Sequence, residues 1–110
     1  MTEMHDQKLP PLDKEGYLID LNDWSTAVAE QLATAENITL SPAHWQIIDL
    51  LREFYAQTDT APAMRALVRL ARQNIGTEQG SSVYLMGLFG GSPAKVAAKV
   101  AGLPRPTNCL

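Results

Sequence analysis

Apolar side chains return every three or four residues along most of this chain, and that period predicts helices. Trp24, Val28 and Leu32 recur at a spacing of four, with Asn22 or Asp23 placed to cap a first helix through Glu36. Ser41 followed by Pro42 opens a second, at about 43–56, with Trp45, Ile48, Leu51 and Phe54 or Tyr55 on one face. Thr60 and Pro62 mark a third start. Met64, Leu67, Val68 and Ile75 then form a stripe over about 62–75 that stops near Gly76. "SSVYLMGLF" is a shorter apolar helix closed by Gly90 and Gly91, and "SPAKVAAKVAG" is a fifth, capped by Ser92 and ended by Gly102. Ahead of these, "KLPPL" and "GYLIDL" surround a turn-forming "DKEG", which predicts a small β-hairpin. Pro10 and Pro11 make its first segment an edge strand. The expected fold is mainly α (α+β): an orthogonal bundle of about five helices, a small N-terminal β-hairpin and a mobile C-terminal arm. It forms one domain over 1–110, with a disordered tip at 1–7 and a flexible arm at 103–110.

Composition narrows the function classes. At 110 residues and 45% hydrophobic, the chain suits a single core. It holds no apolar run of the roughly 18 residues a membrane span needs, and its polar, acid-bearing start does not read as a signal peptide. One cysteine forms no internal disulfide and no thiolate zinc cluster, and a free thiol suits a reducing cytoplasm. His5 and His44 have no neighbours at ligand spacing, so neither a metal nor a cofactor is expected.

The net charge of −3 is unevenly distributed. Residues 1–59 carry eleven acidic side chains against three basic, and residues 60–110 one acidic against six basic. Sequence halves need not be spatial halves, so one reading is ordinary solvation; the other is a basic surface facing an acidic partner. Arg65, Arg69 and Arg72 fall on the polar side of the third helix, at i, i+4 and i+7. With the preceding helix they draw a helix-turn-helix outline, which would put arginines on phosphates. The acidic balance and the lack of an Asn or Gln reading face favour a solvated cationic face instead. Lys95 and Lys99, one turn apart on the fifth helix, read the same way. "FGGSPAK" does not match a phosphate-binding loop and reads as a glycine loop with a helix cap. His44, beside Trp45 at a helix start, reads as a surface or half-buried histidine.

The tail carries the chemistry. Cys109 is the only thiol and the next-to-last residue. Pro104 and Pro106 stop the last helix from resuming and favour extended backbone. Eight residues from Leu103 to Leu110 reach up to roughly 26 Å if fully extended. A thiol on such an arm can enter another protein's cleft, which a thiol on a helix face cannot. Arg105 and the basic half favour its thiolate, while the terminal carboxylate opposes it. With no histidine or acid at motif spacing, Cys109 is not a self-sufficient hydrolase nucleophile. It reads as a carried group.

The sequence resembles the DsrC/TusE family of sulfur-relay proteins. The matching pieces are "EGYL", the Trp opening the first helix, "LSPAHWQIIDLLREFY", "TAPAMRALVRLA", "GSSVYLMGLF" and "SPAKVAAKVAGLPRP" with the penultimate Cys109. The resemblance implies a mostly helical domain whose mobile arm carries the active cysteine, and that Cys109 accepts sulfane sulfur as a persulfide. Family members serving dissimilatory sulfite reductase have a second cysteine eleven residues earlier, where this chain has Ala98. The departure points to the TusE type. It implies a sulfurtransferase component that takes sulfur from a TusBCD-like complex and passes it to an MnmA-like tRNA thiouridylase, for 2-thiolation of wobble uridine. The tRNA would meet the relay only through the thiouridylase. Arg105, Lys99, Lys95, Arg65, Arg69 and Arg72 are candidate partner or anion contacts. Two rivals stand beside it. One is a redox-sensing regulator that binds a partner or DNA through the arginine helix; the other is a structural bundle with an idle thiol.

Overall fold

The computed structural model describes residues 9–106. It contains five α-helices: α1 (Thr26–Ala35), α2 (Pro42–Thr58), α3 (Met64–Asn74), α4 (Ser82–Phe89) and α5 (Pro93–Val100). The expected tip at 1–7 and the arm beyond Pro106 lie outside the described residues.

The predicted hairpin does not form a sheet. Leu12 and Leu18 make one antiparallel bridge, and no β-strand occurs among the described residues. Ile19 N–H reaches the Pro11 carbonyl at 3.2 Å and Asp13 N–H the Tyr17 carbonyl at 2.8 Å. Pro10 and Pro11 have no N–H to return, so the ladder ends there. The segment is a loop closed by an Asx turn: Asp13 Oδ1 accepts from Glu15 N–H at 2.8 Å and Tyr17 N–H at 3.0 Å.

Four of the five helices start after serine, whereas α3 starts after Ala63 with no side-chain cap, not at the Thr60 signal. Ser25 caps α1 by accepting from Val28 N–H at 3.2 Å. This corrects the expectation for Asn22 or Asp23, which lie in a 3-10 turn (Leu21–Asp23) capped by Asp20. Trp24 stays extended because its indole N–H donates to the Val100 carbonyl at 2.9 Å. Ser41 caps α2, with Pro42 in its first turn. His44 completes a reciprocal box: its Nδ1 accepts the Ser41 backbone N–H at 3.0 Å. Its Nε2 lies 2.8 Å from the Leu88 carbonyl, and its ring meets Phe89 edge-on at 5.1 Å. Both bonds are satisfied with the proton on Nε2. His44 is therefore buried, not superficial, and it ties the start of α2 to the end of α4.

On α2 the buried positions are His44, Ile47, Ile48 and Leu51, so the core face is rotated from the expected stripe. Trp45 and Tyr55 are only partly buried. At the centre lies α5, which packs against α1, α2, α3 and α4. Its inward positions are Ala94, Ala97, Ala98 and Val100, all buried. Small side chains let the surrounding helices close on a short helix without a void. α5 thus fixes where the chain emerges.

Candidate functional site

The root of the C-terminal tail is built by the end of α5. Gly102 takes φ +75°, its N–H bonds the Lys99 carbonyl at 3.1 Å, and Leu103 N–H bonds the Ala98 carbonyl at 2.9 Å. This is a Schellman closure, and Leu103, 2% exposed, supplies its hydrophobic contact. A Cβ on Gly102 would meet Trp24 Cδ1 at 2.2 Å, so glycine is required for space as well as for backbone sign. Arg52 Nη1 donates to the Ala101 carbonyl at 2.6 Å while its guanidinium stacks on Trp24. Burial lowers the Arg52 pKa below its usual value, with the Asp49 carboxylate opposing.

The segment expected to begin a projecting arm is held against the body as far as it is described. Leu103 and Pro106 are buried, and Pro104 is half-buried. Arg105 is exposed and pairs with Glu15 at 2.6 Å. Lys99 pairs with Glu36 at 2.9 Å, and its ammonium sits 5.3 Å from the Tyr17 ring centroid. The acidic and basic stretches are therefore separate in sequence but joined in space. Burial raises the Tyr17 phenol pKa, with Arg105 opposing. Asp13 is held below the usual carboxylate range, chiefly by the Tyr17 backbone N–H.

Cys109 lies outside the described residues. Three residue steps separate it from Pro106, which limits the Cα-to-Cα reach from that point to about 10–11 Å. Pro106 itself lines a groove of about 290 Å³, walled by Met64, Ser82, Met86, Pro93 and Lys95. The groove is mainly apolar and open, without the converging polar groups of a substrate pocket.

The sequence candidates divide into two sets. Lys95, Lys99 and Arg105 are gathered around the tail root, but Lys99 and Arg105 are engaged by carboxylates. Arg65, Arg69 and Arg72 stand on α3. Arg65 and Arg69 are exposed, whereas Arg72 Nη2 donates to the Gly80 carbonyl at 2.8 Å. The stripe is thus not three free cations. Among the described residues no group of three His, Cys, Asp or Glu side chains is placed to hold a metal, and no helix is long and apolar enough to cross a membrane.

Sequence reasoning missed Arg52, Glu15 and Glu36 as supports of the root, and Met64 and Met86 as groove walls. A signal existed for part of this. Gly16 and Tyr17 of "EGYL" pack beside Lys99, and Trp24, just ahead of α1, packs against Gly102.

Comparison with known proteins agrees with this geometry. A family model described as "DsrC like protein" matches residues 3–110. The sulfurtransferase TusE of Sodalis glossinidius is 53% identical over 98 residues, covering 89% of this chain and 91% of the relative. That of Photorhabdus laumondii is 48% identical over 98 residues, covering 89% of this chain and 88% of the relative. The NMR structure of Allochromatium vinosum DsrC superposes with a TM-score of 0.85 at 46% identity, covering 96% of this chain and 94% of that one. The crystal structure of the oxidized gamma-subunit of dissimilatory sulfite reductase (DsrC) from Archaeoglobus fulgidus gives 0.81 at 37% identity, covering 94% of each. The thiol-bearing tail, the packed root and these matches lead to one conclusion: this chain belongs to the DsrC-like family.

Proposed function

We propose that this chain is a sulfur carrier of the TusE type, relaying sulfane sulfur on Cys109 toward 2-thiolation of the tRNA wobble uridine. The observation that carries the reading is a firmly packed root that ends at an open groove, with no converging polar pocket there among the described residues and the single thiol three residues further along the sequence. The sulfurtransferase relatives support it. The donor is a TusBCD-like complex and the acceptor an MnmA-like thiouridylase, both in a reducing cytoplasm; tRNA meets the relay through the thiouridylase.

The chemistry is thiol exchange. The Cys109 thiolate attacks the outer sulfur of a donor persulfide, R–S–SH. A new S–S bond forms as the donor's S–S bond breaks, giving Cys109–S–SH and the donor thiolate R–S⁻. No electrons are gained or lost overall, and the reverse logic delivers the sulfur to the next thiol. Such exchange needs access and a thiolate fraction, not a deep pocket. Ala98 is fully buried and carries no sulfur, so two-thiol chemistry within one chain is closed. The DNA-binding alternative is not favoured: Arg72 is engaged and the chain is acidic overall. Intact-protein mass after incubation with a persulfide donor tests the reading. Wild type should gain one sulfur, reversibly with reductant, and Cys109→Ser none; no gain in wild type contradicts it.

A further inference from the structure

Residues 79–94 contain no charged side chain, although charged residues make up 19% of the chain. α4 lies within this run, and its outer face is open to solvent. Val83 is 78% exposed and Met86 43%, and Ser82 and Gly87 are exposed beside them. A surface helix usually turns charged residues outward, so this face is anomalous for a free surface. Gly87 adds to the anomaly. A Cβ there would meet nothing within 4 Å, so nothing inside the fold requires glycine, which weakens a helix relative to alanine.

The face runs into the groove at the tail root, since Ser82 and Met86 belong to both. Pro106 also lines that groove, and Cys109 follows three residues later in the sequence. A protein exchanging sulfur with Cys109 therefore approaches within about 11 Å of this edge. Among the described residues Lys95 is the one cation in the groove wall; it is exposed, and its ammonium has no ion-pair partner among them.

We infer that the α4 face of Val83, Met86 and Gly87, with Lys95 at its rim, is the docking surface for the persulfide-donating protein. That partner presents an apolar surface closely apposed at Gly87 and a carboxylate to Lys95. The inference rests on the relay reading. A charge-free apolar face suits a protein, not a polyanion such as RNA. Lys95 steers and orients the encounter, while the α4 face excludes water at its centre.

The test compares two sulfur sources on the full-length protein. One is glutathione persulfide, which needs no docking; the other is a persulfide-loaded TusBCD-type complex, which does. Gly87→Arg is the main variant, because open space around Gly87 accommodates the side chain and arginine is the better helix former. Val83→Glu is the second. Both should take sulfur from glutathione persulfide within about twofold of wild type, yet lose at least about tenfold in rate from the protein donor. Lys95→Glu should slow protein transfer, with Lys95→Arg restoring it. Wild-type transfer rates from the protein donor in Gly87→Arg and Val83→Glu would overturn the inference. So would faster reaction with glutathione persulfide alone, which would mean the groove shelters the chain's own tail. Loss of a concentration-dependent dimer with unchanged transfer would assign the face to a second copy, and tRNA binding lost with unchanged transfer would assign it to RNA; both overturn it. Failure of wild-type Cys109 to gain sulfur from either source would instead overturn the relay reading itself. A gain from glutathione persulfide but none from the protein donor would overturn the docking inference and the donor assignment together.

Discussion

The Arg52 guanidinium lies 3.8 Å from the centroid of the Trp24 ring, and each of the two side chains holds a carbonyl at the end of α5. Arg52 takes Ala101 and Trp24 takes Val100, so two distant segments clamp the last turn before the tail. The clamp sets where the thiol-bearing segment leaves the body.

Arg52→Met should cost about 2 kcal/mol, the loss of a charge-assisted hydrogen bond and a cation–π contact. Urea denaturation followed by circular dichroism measures it. Arg52→Lys should recover only part, because an ammonium cannot stack and donate in the same plane.

Gly102→Ala should be worse. The left-handed backbone and the collision with Trp24 together cost about 2–4 kcal/mol. Thermal denaturation should show the loss, and sulfur uptake by the folded fraction from a small persulfide should persist, since Cys109 is untouched.

His44→Ala leaves the Leu88 carbonyl and the Ser41 N–H without their partner and opens space beside Phe89. A loss of about 2–4 kcal/mol is expected, read as a lower urea midpoint.

Two groups give stability a pH dependence. The Asp13 pKa is depressed below 3.8 in the folded state, so its contribution is present at neutral pH and lost as pH falls through the acid range below that value. The Tyr17 pKa is raised above 10.0, so the folded state keeps its proton longer and stability falls as pH rises beyond 10.0. Denaturation midpoints across pH should show both limbs. Asp13→Ala should flatten the acid limb and Tyr17→Phe the alkaline one.

All five helices were legible because their punctuation is local: Ser41–Pro42 opens α2, and Gly90 and Gly102 close α4 and α5. What failed depended on partners far away in sequence. Trp24 is helix-compatible, yet its bond to Val100 keeps it extended and moves the cap to Ser25. The α2 face turned toward His44 because Leu88, 44 residues on, supplies the histidine's second bond. Two short apolar segments around a turn-forming stretch suggested a hairpin, but Pro10 and Pro11 lack the N–H donors a ladder needs. Part of the charge asymmetry read as a surface feature is taken up by pairing across the fold, Lys99 with Glu36 and Arg105 with Glu15. Cys109 stood out in the sequence by its solitude and position, whereas Met64 read only as part of a buried stripe and Met86 only as part of an apolar helix.

A relay requires that the sulfur carried by Cys109 be in transit. Cys109 should be loaded with isotopically labelled sulfane sulfur, freed of donor, and mixed with an MnmA-type thiouridylase, ATP and substrate tRNA. Mass spectrometry of digested tRNA should find the label in 2-thiouridine, in proportion to what leaves Cys109, and nothing from Cys109→Ser. Label that stays on Cys109, or tRNA thiolated equally well with the serine variant, would contradict the account.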